Sequence, residues 1–104
     1  MGCEVIVTAE FSSHVDKAVT YRADNYGLRS ARRLLDSIQR TCALLSSAPA
    51  MGSLVDRDSD PSADGGLRWV RMDTYIAVYR SYEERGEVVL LKLFYGTSNW
   101  RRRV

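Results

Sequence analysis

The chain has 104 residues, 45% of them hydrophobic and 27% charged, which is enough for one domain with a single modest core. No apolar run approaches the ~18 residues of a membrane span, and the start lacks the basic, apolar and small-residue series of a secretory leader, so the sequence points to a cytoplasmic protein without a membrane partner. The net charge of +2 is uneven: six Lys/Arg stand against five Asp/Glu in residues 1–47, one against four in 48–66, and eight against four in 67–104, so the C-terminal third favours a polyanion or an acidic protein segment as partner.

Cys3–Thr8 is a short run of β-branched residues and predicts a strand. Thr8 is placed to cap a helix from Ala9, with Ser12 and Ser13 as alternative caps. Phe11, Val15, Ala18 and Val19 recur at helical spacing, and Tyr26 extends the stripe. Gly27 ends this helix, because glycine takes a positive φ without steric cost. A second helix follows, with Leu28, Ala31, Leu34, Leu35, Ile38, Cys42 and Leu45 on one face and arginines on the other. Two helices joined across one glycine form an antiparallel hairpin. Cys3 and Cys42 have no metal-ligand spacing and read as structural thiols.

Residues 48–66 make a long acidic loop, expected to be mobile because Asp, Ser, Pro and Gly dominate its second half. Asp56, Asp58 and Asp60 mimic the opening of a calcium loop, but Pro61 occupies the position that needs glycine and Leu67 the position that needs the bidentate glutamate. The sequence therefore implies no metal and no cofactor. Three strand-like runs close the chain: LRWVRM from Leu67, YIAVYRSY from Tyr75 and VVLLKLFY from Val88. Short turns join them, so they are antiparallel. Leu35, Ile38, Leu45, Trp69 and Leu91 are expected in one helix-on-sheet core. The predicted fold is a single α+β domain over 1–104, ordered βααβββ, with a mainly antiparallel four-stranded sheet and the helical hairpin on one face. Residues 100–104 form a basic tail.

Tyr26, Ala31, the Pro49…Gly52 exit, Gly66-Leu67-Arg68, the run from Tyr75 to Arg80, and Val89 to Gly96 occur in an order that resembles the RelE/ParE toxin superfamily of type II toxin–antitoxin systems. The last strand resembles the ParE branch, where an aliphatic run leads into His-Gly-Arg-Arg-Asp. Here Tyr95 replaces the histidine, Thr97 and Ser98 the arginines, and Asn99 the aspartate. The resemblance implies a growth-inhibiting toxin that binds DNA gyrase and is held inactive by a cognate antitoxin in a hetero-oligomer. Its alternative is a RelE-like endoribonuclease acting on ribosome-bound mRNA. A third reading is a non-toxic member that serves only as an antitoxin-bound co-repressor.

A ribonuclease of this kind needs cations around the scissile phosphate and groups to move protons. Arg68 and Arg80 match family positions, and Tyr95 stands where the family has histidine. The only histidine, His14, falls on the first helix and reads as a surface or boundary residue. Arg68, Arg71, Arg80, Lys92, Tyr95 and the tail residues Trp100, Arg101, Arg102 and Arg103 are the candidates for binding a target or the antitoxin. The tail reads either as a stacking and phosphate contact or as a frayed end. It is close enough to Thr97 and Ser98 to return the missing charge to that region.

Overall fold

The computed structural model describes residues 2–104. The order is β1 (Glu4–Val7), α1 (Ala9–Tyr26), α2 (Leu28–Ser47), β2 (Ser53–Leu54), β3 (Leu67–Met72), β4 (Tyr75–Tyr82) and β5 (Glu87–Tyr95), with a 3₁₀ turn at Glu83–Arg85 and another at Trp100–Arg103. The sheet has five strands in the order β1-β5-β4-β3-β2. β1 runs parallel to β5 and the other pairings are antiparallel. The fold is the expected α+β arrangement with one strand more. That strand is two residues of the long loop, which pair with Arg68 and Trp69 of β3 and are too short to show an alternating pattern.

Thr8 caps α1, accepting from the Phe11 N–H at 3.2 Å, and its hydroxyl donates to Leu90 O at 2.8 Å. One threonine thus starts the helix and ties it to β5 where β1 ends. Gly27, at φ 90°, links the helices. On α2 the buried side chains are Ser30, Ala31, Leu34, Ile38, Thr41 and Leu45. The apolar stripe is wider than this buried face: Leu35 is 38% exposed, Leu28 81% and, on α1, Tyr26 66%.

The sheet has a core on each face. Leu34, Ile38, Leu45 and Phe11 pack with Met72, Tyr75, Ala77, Tyr79, Val88, Leu90 and Leu93 under the helices. Ile76, Val78, Phe94 and Trp100 form a second cluster on the opposite face, with Val55, Leu67 and Trp69 against it. The expected single core is therefore corrected in three places. Leu35 lies at the rim, and Trp69 belongs to the second face. Leu91 is displaced by a β-bulge: Val78 sits opposite Lys92 but Tyr79 opposite Leu90, which leaves Leu91 as the extra residue. The bulge turns Leu90 and Leu93, three residues apart, onto the helix side and leaves Lys92 on the other.

The tail is docked rather than frayed. Trp100 is 7% exposed and tilts against Trp69 with ring centroids 5.5 Å apart. Arg101 lies over both rings and donates to Val55 O at 3.0 Å.

Candidate functional site

The residues singled out from sequence separate into two regions on opposite sides of the sheet. Arg68 pairs across the ladder with Tyr79, whose side chain lies under the helices, whereas Arg80 pairs with Leu67, which packs on the second face. The two arginines therefore do not converge on one phosphate-sized position.

Both hold the long loop. Arg68 Nη1 donates to Gly52 O at 2.8 Å and Ala50 O at 3.3 Å, and its Nη2 donates to Pro61 O at 3.0 Å. Arg80 donates to Gly65 O at 2.8 Å. The Tyr79 hydroxyl completes the clamp, donating to Pro49 O at 2.8 Å and accepting from Gly52 N at 2.9 Å. Burial pushes the Tyr79 phenol above its usual pKa, so it stays neutral and able to donate. A Cβ on Gly52 would stand 2.6 Å from both Trp69 O and the Tyr79 hydroxyl, so only glycine lets the backbone approach this closely. The loop also makes its own turns: the Asp56 and Asp60 carboxylates accept from the N–H groups of Asp58 and Ser62. The mobile loop of the sequence reading is in this structure pinned at Pro49, Gly52, Pro61 and Gly65. The guanidinium groups read as recruits for a target are the pins.

Arg71, Lys92 and the tail share the second face. Lys92 Nζ lies 3.4 Å from Arg103 O and 3.9 Å from the Glu10 carboxylate. Arg103 stands over the Phe94 ring at 5.9 Å, and Arg102 is exposed. Trp69 Nε1 is buried beside Trp100 without a hydrogen-bond partner. Tyr95 is exposed at the end of β5, meets Tyr75 edge-on at 5.4 Å on the helix side of the sheet, and shares a hollow with Arg103 of the tail. His14 accepts the Leu93 N–H at Nδ1, 3.0 Å away, on the stretch of β5 beyond the end of β1. This histidine replaces a missing strand partner, and that work requires its Nδ1 lone pair.

A further feature was not anticipated from sequence. Tyr21, Tyr26, Tyr75 and Tyr95 border a cleft of about 660 Å³ between the end of α1 and the β3–β4 turn, with Arg22, Ser30 and Thr74 also in its lining. Arg22 Nη2 reaches Asp73 Oδ1 at 2.6 Å and Thr74 Oγ1 at 2.9 Å, and Nη1 reaches the Ser30 hydroxyl at 3.3 Å. The hydrogen bond from Arg22 holds the Asp73 carboxyl below its usual pKa. Asp73 has φ 58°, a costly conformation for a residue with a side chain, and Arg22 fixes it there. Burial raises the Tyr75 phenol above its usual pKa. The signal available in the sequence was the count of six tyrosines in 104 residues, but nothing local says that four of them converge.

The model of the family described as the ParE toxin of the type II toxin-antitoxin system parDE matches residues 5–100, nearly the whole chain. The chain belongs to the ParE toxin family. Among solved structures, a chain described as the chromosomal ParDE TA system from P. aeruginosa matches with a TM-score of 0.67 and 16% identity, over 89% of this chain and 95% of that one. At that identity the likeness shows a shared fold. None of the curated protein sequences compared with the chain matches it. Membership makes this small sheet-and-hairpin domain a type II toxin-family protein, and places the substitutions at Tyr95, Thr97, Ser98 and Asn99 at the exit of its last strand. No helix among the described residues is long and apolar enough to cross a membrane.

Proposed function

We propose that this ParE family member is the toxin of a type II module, that it stops growth by binding DNA gyrase rather than by catalysis, and that a cognate antitoxin neutralises it. The observation that carries the binding reading is the commitment of Arg68 and Arg80. They lie on opposite faces of the sheet, and each guanidinium is spent on loop carbonyls. A ribonuclease would need such cations free and on one side of the scissile phosphate. His14, the one histidine, uses its Nδ1 on a backbone N–H, which removes that nitrogen as a proton acceptor.

The cations left on the second face, Arg71, Lys92, Arg102 and Arg103, suit an acidic protein surface and would speed association at low salt. The tail contributes to this surface from a docked position, so its charge is presented on a fixed support. This supports a tail that takes over from the arginines absent at positions 97 and 98.

The test is expression with and without the short reading frame adjacent to the toxin's. Expression alone should arrest growth. Co-expression should relieve the arrest and yield a co-purifying complex. Unimpeded growth on expression of the folded protein alone, with the complex still formed, would remove the toxin reading and leave the co-repressor one.

A further inference from the structure

The outer face of α2 carries Arg29, Arg32, Arg33 and Arg40, all exposed. At about 3.6 residues per turn, Arg29, Arg33 and Arg40 fall within about 40° of arc, and Arg32 stands roughly 60° to the side of Arg29. Leu34, Ile38 and Leu45 are buried on the opposite side of the same helix, so the arginines stand out from the fold as a convex ridge. From Arg29 to Arg40 the ridge is about 16 Å long, at about 1.5 Å per residue.

These guanidinium groups are unspent, unlike those of Arg22, Arg68 and Arg80. Among the described residues none of the four donates a side-chain hydrogen bond, and none lies within ion-pair distance of a carboxylate. Asp36 is the one carboxylate of α2, so four arginines less one aspartate leave the ridge a formal excess of three positive charges. The shallow hollow that Arg29 and Arg32 share with Val19 and Leu35 has no carboxylate in its lining. Asp16 and Asp24 of α1 line a separate depression, to which α2 contributes no residue.

We propose that this ridge lies along the sugar-phosphate backbone of duplex DNA. Its length matches about five base pairs at about 3.4 Å each, and a guanidinium fork suits a phosphate better than an ammonium does. A protein partner would need a bulky anchor among the charges. The positions between the arginines hold only Asp36 and Gln39, and Leu28 and Leu35 stand more than ~100° round the helix from the Arg33–Arg40 line. Phosphates need no such anchor, because charge and donors alone bind them. The ridge lies on the helix side of the sheet, whereas Lys92 and the docked tail lie on the other. One molecule thus has separate surfaces for a protein and for DNA. The inference rests on the gyrase reading only for the source of the duplex, since that target works on DNA.

The test is fluorescence anisotropy of a labelled mixed-sequence duplex of about 20 base pairs (two turns), titrated with purified full-length toxin between about 50 and 200 mM salt. Three to four phosphate contacts predict a log–log slope of about −2.7 to −3.6, which is roughly 40- to 150-fold weaker binding across that range. Arg33→Gln should make the slope shallower by about 0.9, and Arg29→Gln/Arg33→Gln/Arg40→Gln should remove most of the binding. Asp36→Asn should bind more tightly, a gain that no folding defect can produce. Arg71→Gln/Lys92→Gln, on the other side of the sheet, should bind as wild type. Circular dichroism confirms the fold of each. No binding at low salt, or loss on the Arg71/Lys92 variant instead of the α2 variants, would overturn the inference. So would polyglutamate competing as well as DNA at equal charge, which would assign the ridge to acidic proteins, or a duplex of RNA preferred over DNA. Failure of growth arrest would bear on the toxin reading instead and leave this result standing.

Discussion

Replacing Trp100 by alanine removes the side chain that closes the second face of the sheet. The indole is 7% exposed and covers Trp69, Ile76, Val78 and Phe94. An aromatic side chain buries roughly 150–250 Å², which at about 25 cal/mol per Å² corresponds to about 4–6 kcal/mol as an upper bound. Residual burial in the unfolded chain lowers this to about 3–5 kcal/mol. Against that, Trp69 Nε1 is buried without a partner, and opening the face lets water reach it, recovering on the order of 1 kcal/mol. The expected loss is about 2–4 kcal/mol, a large part of the margin of a chain this size. It should lower the melting temperature by roughly 10–20 °C. The assay is thermal and urea denaturation followed by circular dichroism, with Arg102→Ala as the exposed control. An unchanged midpoint for Trp100→Ala would mean that the tail does not dock in solution, and would refute the two-sided core. The practical consequence concerns toxicity. Removing residues 100–104 would confound loss of charge with loss of fold, so the role of the tail is better tested by Arg102→Ser/Arg103→Ser with Trp100 retained.

Arg68→Ala should release the long loop and cost on the order of 1.5–3 kcal/mol, because charge-assisted hydrogen bonds to the carbonyls of Gly52 and Pro61 are lost; hydrogen exchange should rise across residues 48–66, and Arg68→Lys should not restore protection, since one ammonium cannot span both carbonyls. Leu34→Ala should cost about 2–5 kcal/mol while Leu35→Ala, on the rim, should cost much less; equal losses in denaturant would mean that the buried face of α2 is misassigned. The folded-state pKa of Asp73 is depressed below 3.8, so its ion pair with Arg22 stabilises the fold above the ordinary carboxylate range and fades as pH falls through the folded value. Wild type should therefore exceed Asp73→Asn in stability at neutral pH, with the gap closing in acid; a gap independent of pH would assign the effect to something other than the carboxylate charge.

The features legible in the sequence were those set by neighbours along the chain. The Thr8 cap, the Gly27 joint and the three-strand meander each follow from a few adjacent residues, and the structure has all three. What was not legible depends on pairings between distant residues. A bulge at Leu91 leaves no mark in an uninterrupted aliphatic run, yet it decides which leucines enter the core. The stripe on α2 is apolar through Leu28 and Leu35, but only the part over the sheet is covered. Trp100 looked like an aromatic beside a basic triplet, because its partners Trp69 and Phe94 belong to different strands. Arg68 and Arg80 were read together as cations for one phosphate, but they stand on opposite faces of the sheet and their acceptors are loop carbonyls, and backbone acceptors are not visible in a pattern of side chains. The tyrosine cleft was missed for the same reason: Tyr21 and Tyr26 reach Tyr75 and Tyr95 only once the hairpin lies on the sheet.

The central claim is that this ParE family toxin acts by occupying a protein rather than by cutting RNA. The most direct measurement puts the purified toxin into two assays side by side: negative supercoiling of relaxed plasmid by DNA gyrase, and integrity of mRNA on translating ribosomes. The account predicts inhibition of supercoiling that saturates near stoichiometric toxin and is reversed by the antitoxin, with the mRNA intact. Cleaved mRNA at catalytic amounts of toxin, with supercoiling unaffected, would contradict it.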